Sequence, residues 1–331
     1  MTKDTTQKIK GIAILIMIFH HFIVYGYGVE FSRIISMLGR QAKICVGIYA
    51  VLSGYGYYFA KEKTIRYGLK KSWGLLQEYW ASLFTIFVPC ALLGGWIPTG
   101  KEVVINLFAL GPNLNWNAWY VHFFILCMLV MPIVSKILRF APVINVGFAI
   151  GVPYVLEVAI HELIPNYQEI TMMQVLFNCM LYFGVFLVGY LMAKYGVIAK
   201  VKTHWTVGLV VIVGALGLRI ALRHINTFGL NMDVVYAPLF VLGAANLFES
   251  LKGKWVEIFS TFGKYSTGMW FIHAIFFATY TKDFFQPIMT IVKWPPLMYA
   301  WLVVLSLVGA WFFRKCLDLI HMIPMHRKRV S

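Results

Sequence analysis

Lys10-Gly11-Ile12-Ala13-Ile14-Leu15-Ile16-Met17-Ile18-Phe19-His20-His21 decides the reading of this chain. A cation is followed by an uncharged apolar run and then by two imidazoles. At 1.5 Å per helical residue, the steps from Lys10 to His21 cover about 16 Å, half the hydrocarbon core of a bilayer. Lys10 therefore marks a membrane surface, and His21 lies near mid-depth. Ionisable groups at that depth are expensive and mark function by default. Imidazole is also the side chain best suited to exchange a proton near neutral pH.

The rest of the chain has the same character. Its 331 residues are 60% hydrophobic and 13% charged, against roughly 45–50% and about 25% in soluble domains. The expected fold is an all-α integral membrane protein, a single domain over 1–331. It is a bundle of about ten transmembrane helices with both termini cytoplasmic. The spans are expected at about 9–27, 41–60, 78–97, 118–138, 142–161, 172–193, 205–222, 234–249, 265–281 and 297–314. Without a clean small-residue cleavage site, the first run reads as a retained span.

The net charge of +16 does not indicate nucleic acid, because the cations lie between the apolar runs and follow the positive-inside rule. With an inside N-terminus, most of the 29 Lys+Arg fall in cytoplasmic segments: Lys3, Lys8 and Lys10; Lys61 to Lys71; Lys136 and Arg139; Lys194 to Lys202; Lys252 to Lys264; and the tail with Arg327, Lys328 and Arg329. Residues 61–77 suit either a helix on the inner leaflet or a plain basic anchor. Residues 98–117, the longest outer loop, contain an apolar stretch too short to span. None of the five cysteines forms a CxxC pair, so neither a metal site nor a disulfide framework is expected.

The polar residues within the apolar runs are the candidate site. His21 and His273 lie in different spans and are positioned to meet near mid-depth, where a neutral imidazole can take a proton from a hydroxyl. His20 points about 100° away and reads as a helper or a lipid-interface residue. Ser53 and Gly54 end the second span. Trp116, Trp119 and Tyr120 read as either an aromatic belt or a wall on which a sugar stacks. Glu157 and Arg219 are each costly alone; Arg219 is expected to snorkel to the outer surface.

Four ordered stretches carry a resemblance: Lys10-Gly11 to His21, Ile48-Tyr49-Ala50-Val51-Leu52-Ser53-Gly54, Trp119-Tyr120-Val121 to Pro132, and Gly263-Lys264-Tyr265-Ser266 to His273. Together they resemble acyltransferase family three, the integral membrane O-acyltransferases acting on bacterial surface glycans and related molecules. The chain departs from the family pattern: the Asp that often precedes the opening basic residue is absent, and two basic motifs are altered. Lys10 stands for the opening arginine, and Lys70-Lys71 stand for an Arg-x-Arg pair, keeping the charge but losing the planar fork. The resemblance implies His21 and His273 as catalytic residues. It implies Lys10, Lys70 and Lys71 as contacts for acetyl-CoA or another acyl-CoA, which is the donor substrate rather than a tightly bound cofactor. Ser53, Trp116, Trp119, Tyr120 and Glu157 are the expected acceptor contacts, and the acceptor is a glycan or lipid-linked sugar. The expected location is the bacterial cytoplasmic membrane, with no nucleic-acid partner. A proton-coupled exporter of a glycan or lipid competes on the strength of the spans and buried His and Glu, but no inverted repeat supports it.

Overall fold

Helices are the only regular structure in the computed structural model, which describes residues 1–26, 29–110, 114–169, 171–224 and 230–322. The basic tail residues Arg327, Lys328 and Arg329 lie outside the described residues. Thr2 opens α1 (Lys3–Tyr25): its hydroxyl accepts from the Thr5 N–H at 3.0 Å, satisfying one of the free donors of the first turn. A short helix, α2 (Arg33–Gln41), lies between α1 and α3 (Ile44–Tyr58). α4 (Ile65–Ser82) passes through a π-helical turn, Leu83–Phe87, into α5 (Val88–Leu93). Pro89 cannot donate to the carbonyl four residues back, and the widened turn absorbs that lost bond.

A capping box between Thr99 and Glu102 starts α6 (Gly100–Leu107). Backbone and side-chain hydrogen bonds from Thr99 hold the Glu102 carboxyl below its usual range. The remaining helices are α7 (Trp119–Ile137), α8 (Pro142–Leu163), α9 (Thr171–Lys194), α10 (Val197–Lys200), α11 (Trp205–Ala221), α12 (Asp233–Ser250), α13 (Lys254–Ile272), α14 (Lys282–Thr290) and α15 (Pro295–Met322).

Seven helical stretches among the described residues are long and apolar enough to cross a membrane. Their outer faces expose side chains such as Val143, Val155 and Trp311, which water would penalise and hydrocarbon accepts. Three of the ten expected spans are not among the seven. α11 is shorter, and α12 and α13 carry charged residues at their ends, including Asp233, Glu249, Lys254 and Glu257.

Several boundaries differ from the sequence expectation. The basic stretch 61–77 is not a separate surface helix, because α4 continues from it into the apolar run. α13 starts at Lys254 rather than near 265 and stops at Ile272, so His273 stands at a helix end and not inside a span. The reason is local. Both the backbone N–H and the ring Nδ1 of His273 bond the Met269 carbonyl, and the chain then tightens into a 3-10 turn, His273–Phe277.

α1 packs against α13 more extensively than any other helix pair. They run parallel, and glycine brings their backbones together. A Cβ on Gly263 would sit 2.6 Å from the Gln7 carbonyl carbon, and one on Gly11 would sit 2.8 Å from that of Phe259. Lys8 bonds Glu257 of α13 at 2.7 Å beside the crossing. His21 and His273 each lie ten residues beyond a crossing glycine. Equal steps along two parallel helices keep register, so the glycine contact sets the meeting of the two imidazoles. Gly54 acts in the same way at another crossing. It meets the backbone of Phe186 between α3 and α9 and does not border the cavity described below.

Candidate active site

His273 is fully buried, and the hydrogen-bond pattern around it assigns its protons. A carbonyl can only accept, so the 2.9 Å bond between His273 Nδ1 and the Met269 oxygen puts the proton on Nδ1. In the neutral ring, Nε2 is then an acceptor. It lies 2.7 Å from His21 Nδ1 and 3.2 Å from the Asn117 amide nitrogen, both of which donate to it. His21 thus carries its proton on Nδ1, and its Nε2 keeps the lone pair. The two rings lie end to end along this bond, with centroids 4.9 Å apart and 14° between planes. This chain of tautomers makes His21 Nε2 the basic atom of the pair.

The segment before α7 supplies the next contacts. A 3-10 turn, Trp116–Ala118, sets the Trp116 ring edge-on to His21 at 4.8 Å and aims Asn117 at His273. The turn is held from several sides. Tyr79 donates to the Asn106 carbonyl at 2.6 Å, Asn106 accepts from the Leu114 N–H at 2.8 Å, and Tyr280 donates to the Leu114 carbonyl at 2.9 Å. His122 donates to the Phe108 carbonyl at 2.7 Å.

These groups border a cavity of about 720 Å³. Its wall along α1 extends from Lys10 to Tyr25, about 22 Å of helical rise. The structure brings most of the sequence-predicted residues to it: Lys10, Lys70 and Lys71 at one end, Ser53 on α3, and Trp116, Trp119, Tyr120 and His21 further along. Tyr49 bonds the Lys10 carbonyl at 3.1 Å and borders the same space. His273 does not line the cavity; it stands behind His21. His20 also borders the cavity and is not lipid-facing. Its Nδ1–H donates to the Gly39 carbonyl at 2.7 Å, tying α1 to α2.

Two expectations fail on geometry. Glu157 does not reach the cavity; it is buried on α8 beside a separate small void bordered by Gly184 and Asn231. Alternation of polar and apolar residues cannot tell which neighbour a helix face meets. Arg219 does not snorkel: its Nε donates to Asp233 at 2.8 Å and its Nη1 to the Gln41 carbonyl at 2.7 Å. With Asp233 at the start of α12 and 3% exposed, pairing there outweighs reaching water. The sequence reading also missed Lys43, Glu78 and Asn117, which all border the cavity. Asn117 had a signal: a polar residue enclosed by Trp116 and Trp119 beside a span. Lys43 had one too, as a cation directly before an apolar span. Among the described residues no cluster of three or more His, Cys, Asp or Glu is arranged to hold a metal.

A family model described as an acyltransferase domain matches residues 9–315. No curated protein and no solved structure gives a significant match. With nearly its whole length matched, the chain belongs to that acyltransferase family.

Proposed function

We propose that this member of the acyltransferase family is a membrane O-acyltransferase. It moves an acyl group, acetyl in the simplest case, from cytoplasmic acyl-CoA to a hydroxyl of a glycan or lipid-linked sugar on the other side of a bacterial cytoplasmic membrane. The chain crosses ten times, α11, α12 and α13 adding to the seven long apolar stretches, with both termini in the cytoplasm. The cation distribution favours that topology.

The observation that carries the reading is the 2.7 Å contact between His21 Nδ1 and His273 Nε2 at the wall of a cavity bordered by Lys10, Lys70 and Lys71. In the proposed step, His21 Nε2 takes the proton of the acceptor hydroxyl as its oxygen attacks the thioester carbonyl. The tetrahedral intermediate then collapses, the C–S bond breaks, and the CoA thiolate recovers the proton from His21. The acyl group ends as an ester, and every proton is returned. His273 touches neither substrate. It holds the His21 tautomer and accepts a stronger hydrogen bond when His21 becomes imidazolium, as a buried partner does in a catalytic triad. A neutral partner stabilises that cation less than a carboxylate, so orientation is its larger contribution.

Lys10, Lys70 and Lys71 face the phosphates of CoA at the cytoplasmic end, where several cations on a low-dielectric wall concentrate an anionic donor. The thioester extends from there toward His21. Trp116, Trp119, Tyr120 and Ser53 border the space for the acceptor.

Transfer of radiolabel from acetyl-CoA in inside-out vesicles tests the reading. Label enters a glycan or lipid fraction with the intact chain, and transfer is lost in His21→Ala although the protein stays folded in the membrane. Equal transfer by the His21→Ala variant refutes the base assignment. Absence of His21-dependent label across a panel of acceptors favours the exporter.

A further inference from the structure

One cation in the cavity stands apart from Lys10, Lys70 and Lys71. Lys43 borders the same space as His20 and His21. It lies at the other end from Lys10, because α3 begins directly after it, runs back along α1, and delivers Tyr49 to the Lys10 carbonyl. Its side chain is exposed, and among the described residues it forms no ion pair. The chain around it is firmly held. Arg219 grips the Gln41 carbonyl two residues earlier, with Asp233 behind it, and His20 bonds the Gly39 carbonyl four residues earlier. A buried ion pair thus fixes the backbone of a lysine whose own charge is left open.

The neighbourhood has the same sign. Arg33 and Arg40 of α2 are also exposed, against Glu30 alone in residues 29–43. Positive charge on the outer side opposes the topology bias and so calls for its own reason. A cation beside the general base, uncompensated by protein, serves an anion brought by the substrate.

We infer that Lys43 makes the acceptor end of the cavity selective for an acceptor bearing an anionic group, a carboxylate or a phosphate, close to the hydroxyl to be acylated. The inference rests on the acyl-transfer reading for its term acceptor, although the anion site itself does not require transfer. Trp116 and Tyr25, with ring centroids 5.0 Å apart, flank the same end and give the sugar ring an apolar face. Lys43 is then a specificity residue rather than a partner of the reacting carbonyl.

Purified full-length protein and its Lys43→Gln and Lys43→Arg variants test this with three probes: methyl glucoside, methyl glucuronide and glycerol phosphate. Binding is followed by tryptophan fluorescence, and acceptor use by release of CoA thiol from acetyl-CoA. The expected result is a preference on the order of tenfold for an anionic probe over the neutral glucoside, lost in Lys43→Gln and largely restored in Lys43→Arg. Whichever anionic probe is preferred separates carboxylate from phosphate. Three results overturn the inference: the same preference in wild type and Lys43→Gln, no measurable binding of any probe, or an equal fall in turnover with charged and neutral acceptors. The last would assign Lys43 to the reacting carbonyl. A Lys43-dependent binding preference without any thiol release supports the anion site and sinks the acyl-transfer reading instead.

Discussion

Replacing Gly263 by alanine is the sharpest perturbation of the α1–α13 crossing. A Cβ there would lie 2.6 Å from the Gln7 carbonyl carbon, with ordinary contact beginning at 3.4 Å. The obstacle is backbone, which cannot rotate aside as a side chain does. The Gln7 carbonyl oxygen lies nearer still, so the two helices must part by at least about 1 Å to restore van der Waals contact. Carried along parallel helices, that separation stretches the 2.7 Å His21–His273 bond to nearly 4 Å, beyond hydrogen-bond range. His21 then loses the partner that fixes its tautomer and orientation. A displacement of about 1 Å at a reacting group costs on the order of 10²-fold in rate. The expected result is a roughly hundredfold lower kcat for acyl transfer, with a smaller rise in the KM for acyl-CoA, because Lys10 moves with α1 beside the same crossing while Lys70 and Lys71 on α4 do not. The assay is initial-rate transfer by protein reconstituted in proteoliposomes, with melting in detergent confirming a folded chain. Gly214→Ala is the control, since a Cβ there meets nothing within 4 Å. Wild-type turnover by folded Gly263→Ala would refute the claim that the glycine contact sets the histidine register.

Two further outcomes follow from the same contacts. Asp233→Ala leaves Arg219, 14% exposed, without its carboxylate, and breaking such a buried pair costs about 3–5 kcal/mol. A lower melting temperature in detergent is expected, with Arg219→Leu/Asp233→Leu milder than either single change; an unchanged melt would assign the pair no role in holding the α2–α3 turn. Lys10→Gln/Lys71→Gln raises the KM for acyl-CoA on the order of tenfold or more while leaving acceptor KM near wild type, and unchanged donor dependence would reduce both to topology anchors.

Much of the site was legible because the motifs lie where the membrane makes polarity conspicuous. An imidazole in Gly11 to Phe22 or near Phe271 has no solvent to justify it, so the histidines there stand out by hydropathy, and the spacing from Lys10 in the family pattern selects His21 over His20. Lys10, Lys70 and Lys71 were legible as cations, and Ser53, Trp116, Trp119 and Tyr120 as residues of ordered motifs. Glu157 was equally conspicuous and lies elsewhere, because cost at depth marks a buried polar residue without saying what it faces. Arg219 looked like a snorkelling residue until its partners, Gln41 and Asp233, were brought in from distant parts of the chain. The end of α13 at Ile272 was hidden by a continuous apolar run.

The sequence by itself determined that this chain is a helical membrane protein with polar groups held at depth, since hydropathy and the cost of burying charge act residue by residue. Tertiary structure alone decided which of those groups share a cavity. Helix azimuth and register are set by glycines against backbone, such as Gly11 on Phe259 and Gly263 on Gln7, and by single buried pairs such as Arg219 with Asp233. Those contacts join residues far apart in the chain, and in a uniformly apolar helix, periodicity gives one face little preference over another. The proton positions on His21 and His273 follow at the same level, because only the assembled neighbours of each ring nitrogen distinguish donor from acceptor.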